Sequence, residues 1–283
     1  MKQPLGREVL EVIEHGAAGR IVVSDSISYG GERIGPDDVL LAASYSGVAS
    51  FIHGLRRGVK ALIGHDAGIG KDEAGVSGLA FAQVHGVPAA AVSAQTAALA
   101  NGPSMTSATI SRCNAAARAL GVREGANALD AARHLLAASP GRKVEVADAF
   151  DNSIHEVFRI ARGAIYASTS SFVFKSKMPD DVLCIAAHTG RVFAESILTL
   201  MPRGAIANDA GMGLARSGVA GLPILQDAGI AAAAVAAMSA RIGDGLSTYH
   251  DGIISAQNAL AHSRGVHLGM PARLAAQLML GAD

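Results

Sequence analysis

The sequence predicts an α/β fold that is internally duplicated. A glycine-rich loop occurs twice in matched surroundings, and short apolar runs alternate with helical segments along each half. Asp66-Ala67-Gly68-Ile69-Gly70 returns 143 positions later as Asp209-Ala210-Gly211-Met212-Gly213. Upstream, Pro36-Asp37-Asp38-Val39-Leu40 returns as Pro179-Asp180-Asp181-Val182-Leu183, and Ser46-Gly47 as Thr189-Gly190. Downstream, Gly75-Val76, Gly78-Leu79 and Gly86 return as Gly218-Val219, Gly221-Leu222 and Gly229. Ile110-Ser111 and Asn114-Ala115 match Ile254-Ser255 and Asn258-Ala259 at a spacing of 144, so the second copy carries one extra residue near its last loop. The expected architecture is two similar parallel-sheet lobes, Rossmann-like, related by a pseudo-twofold with a cleft between them. Residues 1–122 form the first repeat, 123–150 a linker helix region and 151–283 the second repeat.

Taken in order, Arg7 to His15 has helical spacing and stops at Gly16. Arg20 to Ser24 is a β-branched strand, followed by a Ser/Gly-rich loop to Gly35. Asp38 to Ser44 is an unbroken apolar run of the kind a strand buried on both faces shows. Tyr45-Ser46-Gly47 turns into a helix ending at Gly58, and Lys60 to Gly64 is the next strand. His65 to Ala74 is the glycine loop, Val76 to His85 a helix, Pro88 to Ser93 a strand, Gln95 to Ser107 a polar loop and Ala108 to Leu120 a helix. One helix, Ala128 to Ala138, lies in the joining segment. The second copy reads as a lead-in helix (Asn152 to Ala161), strands Ala164 to Ser168 and Val182 to Ala187, helix Val192 to Leu200 and strand Ala205 to Ala207. The glycine loop Asn208 to Ser217 then leads to helix Val219 to Ala228, strand Ile230 to Val235, a loop to Asp251 and helix Gly252 to Ser263.

Composition narrows the function classes. Among 283 residues, 24 Lys and Arg balance 24 Asp and Glu, Trp is absent and aromatics make up 4%. A nucleic-acid partner would require a basic excess and stacking platforms, so none is expected. The most apolar stretch, Gly218 to Met238, is interrupted by Pro223, Gln226, Asp227 and Gly229, which excludes a membrane helix there. Met1-Lys2-Gln3-Pro4 runs into a polar segment without a signal pattern, so a cytoplasmic protein is expected. Cys113 and Cys184 have no metal or redox spacing and read as core residues.

The strand C-terminal ends and helix starts of parallel α/β units gather on one edge, where backbone amides favour an anion. Ser46 with Gly47, Thr189 with Gly190, and the loop glycines Gly68, Gly70, Gly211 and Gly213 fall there. No Rossmann or phosphate-loop pattern is completed. Asp66 and Asp209 are candidate carboxylates or closers of Asx turns. The side chains that differ between copies point to one asymmetric site: His65 and Lys71-Asp72-Glu73 in the first, His188, Arg191, Arg241, Asp244, Tyr249, His250 and Asp251 in the second. His65 and His188 suit proton transfer at neutral pH, and Arg191 and Arg241 suit a carboxylate clamp.

Asp38 to Gly47 with the following helix is similar to the phosphate turn of the sugar isomerase (SIS) fold, a pattern that the second copy departs from at His188. The double-lobed plan resembles the Asp/Glu racemase superfamily, whose catalytic cysteine in each lobe is missing here. The expected function is cofactor-independent acid/base chemistry of the isomerase, racemase or lyase type on a small carboxylate-bearing metabolite. His65, Asp66, His188 and Asp209 would form the centre, with Ser46, Thr189, Asp244, the two arginines and the loop glycines binding substrate. A hydrolase of a small amide, lactone or ester, metal-assisted or not, and a non-catalytic ligand-binding protein are the alternatives. No resident metal or cofactor is expected. Ala-rich helices lead us to expect a homo-oligomer.

Overall fold

The computed structural model describes residues 9–146 and 151–282. These form two compact units: one holds the described residues of Met1–Gly68, Gly75–Ala149 and Gly213–Ala215, the other those of Ile69–Ala74, Phe150–Met212 and Arg216–Asp283. Each contains a six-stranded, mostly parallel sheet whose strands lie side by side in chain order.

In the first unit, β1 (Leu10–Gly16) and β2 (Gly19–Ser24) make a hairpin, and β2, β3 (Asp38–Tyr45), β4 (Ala61–His65) and β5 (Ala89–Val92) are parallel. The crossovers are α1 (Val48–Arg57), between β3 and β4, and α2 (Ser77–Val84), between β4 and β5. A short helix, α3 (Gly102–Met105), precedes β6 (Ile110–Cys113), which closes the sheet antiparallel to β5. α4 (Ala115–Ala119) and α5 (Ala128–Leu135) follow. Ile21, Val23, Val39, Leu41 and Ile63 on one sheet face pack with Met105 of α3 and Leu135 of α5. The alternation expected for pleated strands buried on both faces accounts for the unbroken apolar run in β3. α5, in the segment expected to link the two copies, belongs to the first unit's core.

The second unit repeats the order and pairing senses: β7 (His155–Ile160) and β8 (Gly163–Ser168) as a hairpin, then β9 (Val182–His188), α6 (Arg191–Leu200), β10 (Gly204–Asn208), α7 (Gly221–Asp227) and β11 (Ala231–Val235). α8 (Gly245–His250), antiparallel β12 (Ile254–Gln257), α9 (Ala259–Ser263) and α10 (Ala272–Leu280) complete it. Val182, Cys184 and Ile206 pack with Tyr249 and α10 on one face, while Leu183, Ile185 and Ala205 pack with α6 and α7 on the other. Among the described residues no helix is long and apolar enough to cross a membrane.

Four expected helical segments take other forms. Arg7–His15 falls on β1 where it is described, and Asn152–Ala161 falls on β7. Both hairpin strands carry a bulge, between Val12 and Glu14 and between Glu156 and Phe158, which breaks the period-two pattern and leaves apolar spacings that look helical. Ala108–Leu120 and Gly252–Ser263 each divide into a four-residue strand and a short helix. The division falls at Asn114 and Asn258, whose side chains accept from Ala117 N–H and Ala261 N–H as N-caps, both at 2.9 Å. Cys113 therefore sits in β6 rather than in a helix, and like Cys184 of β9 it is buried; burial pushes the Cys184 thiol up to about 12. The polar loops Gln95–Ser107 and 236–251 contain α3 and α8.

Candidate functional site

The two glycine loops follow β4 and β10 and have one backbone conformation. Ala67, Gly68, Ile69 and Gly70 are left-handed at φ 50, 71, 62 and 74°, and Ala210, Gly211, Met212 and Gly213 at 50, 69, 64 and 68°. Asp72 and Glu73 (54 and 53°) and Ala215 and Arg216 (53 and 57°) add a second left-handed pair in each. Holding a residue with a Cβ there costs roughly 1–2 kcal/mol, so the surroundings must fix these loops. The aspartates do so. Asp66 Oδ1 accepts from Gly68 N–H and Ala94 N–H at 2.9 Å each, and Asp209 Oδ1 accepts from Gly211 N–H and Ala237 N–H, also at 2.9 Å. Ser255 Oγ donates to Asp209 Oδ2 at 2.7 Å. Both carboxylates are buried, and the structure gives them the Asx-turn role.

His65 has the same character. Its Nδ1 accepts from Ala67 N–H at 3.0 Å and its Nε2 lies 3.1 Å from Ala97 O, so the neutral ring donates from Nε2. The ring is fully buried, which lowers its pKa. In the second unit Asn208 does the same work: Oδ1 accepts from Ala210 N–H at 2.8 Å and Nδ2 donates to Ala240 O at 3.0 Å. Imidazole and carboxamide thus make the same pair of hydrogen bonds at this position.

The other expected residues divide between the units: Ser46, Gly68 and Gly213 lie in the first, and Gly70, His188, Thr189, Arg191, Gly211, Arg241 and Asp244 in the second. Ser46 N–H donates to His65 O, and its buried hydroxyl has no partner among the described residues. Thr189 donates to Asn208 O from both N–H and Oγ1. His188 is half-buried at the end of β9, with Nδ1 accepting from Gly190 N–H at 3.1 Å. Arg191 pairs with Glu195 at 2.7 Å. Arg241 donates to Asp244 and to Asp72, both at 3.1 Å, and these bonds raise its pKa. Asp251 accepts from Lys71 Nζ at 3.0 Å and Ser247 Oγ at 2.7 Å; the Ser247 bond first, then Lys71, lowers its pKa. The second unit, which includes Ile69–Ala74, thus gathers the charged side chains that distinguish the copies. Both arginines pair with carboxylates, Arg191 with Glu195 and Arg241 with Asp72 and Asp244.

A cavity of about 390 Å³ opens on the second unit's sheet edge, lined by Asp151, His155, Ser168, Thr169, Gly243, Asp244, Gly245 and Leu246. Ser168 ends β8 and Gly243–Leu246 follow β11, so the cavity lies at the C-terminal ends of parallel strands, where α/β sheets bind ligands. His155 Nε2 pairs with Asp151 Oδ2 at 2.8 Å. Bonds from Ser153, then from His155, hold the Asp151 carboxyl down to about 2. Ser168 is 1% exposed and its hydroxyl has no partner among the described residues. Asp244 Oδ1 caps α8 by accepting Ser247 N–H at 2.9 Å. Gly245 has no room for a side chain: a Cβ would lie 2.5 Å from Ser168 N and O.

Asp151, His155, Ser168, Thr169 and Gly245 were not among the expected site residues. One signal for them exists in the sequence: after the matched serines Ser24 and Ser168, the first copy has Asp25 where the second has Thr169. Among the described residues no three His, Cys, Asp or Glu side chains gather as a metal-holding group. No protein-family model, curated protein or solved structure matches this chain.

Proposed function

We propose that the protein is a cofactor-independent acid/base enzyme of the isomerase, racemase or lyase type acting on a small carboxylate-bearing metabolite, with its chemistry in the cavity at the second unit's loop edge. The supporting observation is the Asp151–His155 pair on a wall of that cavity, which also carries Ser168 and Gly245. With Nε2–H given to Asp151, the neutral imidazole keeps its lone pair on Nδ1 and is the base. It takes a proton from a carbon next to the substrate carboxyl; the C–H electron pair moves into that carboxyl, and Asp151, anionic throughout the neutral range, steadies the imidazolium. Donors at the cavity wall stabilise the charge developing on oxygen. Return of the proton to the same or a neighbouring carbon completes an isomerisation, and loss of a leaving group completes an elimination.

Ser168, His155 and Asp151 are also the residue types of a hydrolytic triad. The enclosure of the Ser168 hydroxyl favours a binding role over nucleophilic attack. The test is proton wash-in: the protein is incubated in D2O with a panel of small 2-hydroxy, 2-amino and unsaturated carboxylic acids, and C–H exchange is followed by NMR. Exchange with at least one acid, reduced about 100-fold or more in His155→Asn, is expected. Exchange unaltered by that substitution would overturn the assignment of the base, and saturable binding without exchange would leave a ligand-binding protein.

A further inference from the structure

Where the second unit has its cavity, the first unit places the Asp25 side chain on the equivalent backbone. Gly102 and Gly245 occupy equivalent positions, each pressed against the serine that ends the second strand of its sheet, Ser24 or Ser168. Asn101 and Asp244 cap the helices that follow, and Ser104 Oγ and Ser247 Oγ each accept from a loop N–H at 3.0 Å, that of Ala98 or Arg241. Within this shared frame the polar groups are satisfied differently. In the first unit Gly102 N–H donates to the buried carboxylate of Asp25 at 2.7 Å. Ser24 Oγ donates to Ser26 O at 2.8 Å and lies 3.2 Å from Val9 O. In the second unit Thr169 replaces Asp25 and its hydroxyl turns to Gly243 O at 3.4 Å. Gly245 N–H finds no acceptor among the described residues, and the buried Ser168 hydroxyl has no partner.

Charge follows the same division. The first unit holds the anionic Asp25 beside the neutral Asn101. The second has neutral Thr169 beside Asp244, which pairs with Arg241 at 3.1 Å, a guanidinium it shares with Asp72. Asp151 keeps its charge and accepts a hydrogen bond from the neutral His155. At the position of Asp25 the second unit therefore has no carboxylate, and it presents two donors that no described residue answers, Ser168 Oγ–H and Gly245 N–H. Unmet donors at a buried wall are costly unless a ligand or water answers them.

We infer that the cavity is a carboxylate subsite: a ligand carboxylate takes, in the second unit, the place that the Asp25 side chain takes in the first, accepting from Gly245 N–H and Ser168 Oγ–H. This rests on the cavity being the reaction site and names the part that holds substrate. Thr169→Asp should then supply the carboxylate internally. The probe is acetate, the carboxyl fragment of an aspartate side chain, titrated into labelled wild-type protein while amide resonances are followed by 1H–15N NMR. A saturable shift of the Gly245 amide is expected. In Thr169→Asp that amide should already be shifted without acetate, the apparent acetate affinity should fall about tenfold or more, and thermal stability should not fall. Thr169→Ser, which adds no carboxylate, should keep the wild-type response and so guards against a folding defect. A Gly245 amide indifferent to acetate, or a Thr169→Asp protein that binds acetate like wild type, would overturn the subsite. Acetate binding without proton wash-in would uphold the subsite and sink the acid/base reading; wash-in without acetate binding would do the reverse.

Discussion

At the end of β4 a histidine, and at the end of β10 an asparagine, take a backbone N–H two residues on and give a hydrogen to a loop carbonyl. At the loops after β5 and β11 the relation is reversed: the backbones agree, but Asp25 answers Gly102 N–H in one unit while no described residue answers Gly245 N–H in the other. The first difference changes residue type and preserves every bond; the second changes one residue and leaves donors unmet. Dissimilar side chains in a repeated fold are thus a poor guide to function until their hydrogen bonds are counted. By that count the informative position is Thr169, not His65.

This comparison can be broken at several points. Removing a loop-closing carboxylate should do the most damage: Asp209→Ala leaves two N–H donors without their acceptor and the Ser255 hydroxyl with only Ala234 O at 3.3 Å, and a loss of about 4 kcal/mol is expected from urea unfolding. Asp66→Ala, with two bonds at stake, should cost less. Gly245→Ala forces a Cβ against the Ser168 backbone and should cost about 2–3 kcal/mol; a neutral result would contradict the tight frame around the cavity. His65→Ala should cost about 2 kcal/mol, whereas His65→Asn, copying the second unit, should stay within about 1 kcal/mol of wild type.

The same pair carries a pH signature. Burial lowers the His65 pKa in the folded state, so below the unfolded value of about 6.5 the unfolded chain binds a proton that the folded chain refuses. Wild type should therefore lose stability as pH falls from about 6.5 toward the folded pKa, and His65→Asn should lose less; urea midpoints at pH 7.5 and 5.5 decide it. The smallest effect should come from Lys71→Met, because the Lys71–Asp251 pair is about one-third exposed on both sides and such pairs contribute under about 1 kcal/mol.

Much of the sheet order was legible because β3, β4, β9 and β10 are continuous apolar runs, and the turns after them repeat. The hairpin strands β1 and β7 were not, since a bulge and a solvent-facing side erase their alternation. The repeated Asp-Ala-Gly sequence located the loops, and the Asx alternative for Asp66 and Asp209 was readable from residue type. Their competing catalytic reading could be weighed only when each Oδ1 was seen to hold two amides. The meeting of Lys71 and Asp72 with Arg241 and Asp251 joins residues some 170–180 positions apart, which no local pattern encodes. The Asp151–His155 pair was hidden because the stretch after Asp151 had the spacing of a helix.

In the proposed reaction His155, held by Asp151, offers Nδ1 as the base. Long-range 1H–15N NMR of the histidine rings reads this directly, since protonated and lone-pair nitrogens have well-separated shifts. In the neutral ring a proton on Nε2 and a lone pair on Nδ1 are expected, with that preference lost in Asp151→Asn. A proton on Nδ1, or an unbiased mixture of tautomers unchanged in Asp151→Asn, would contradict it.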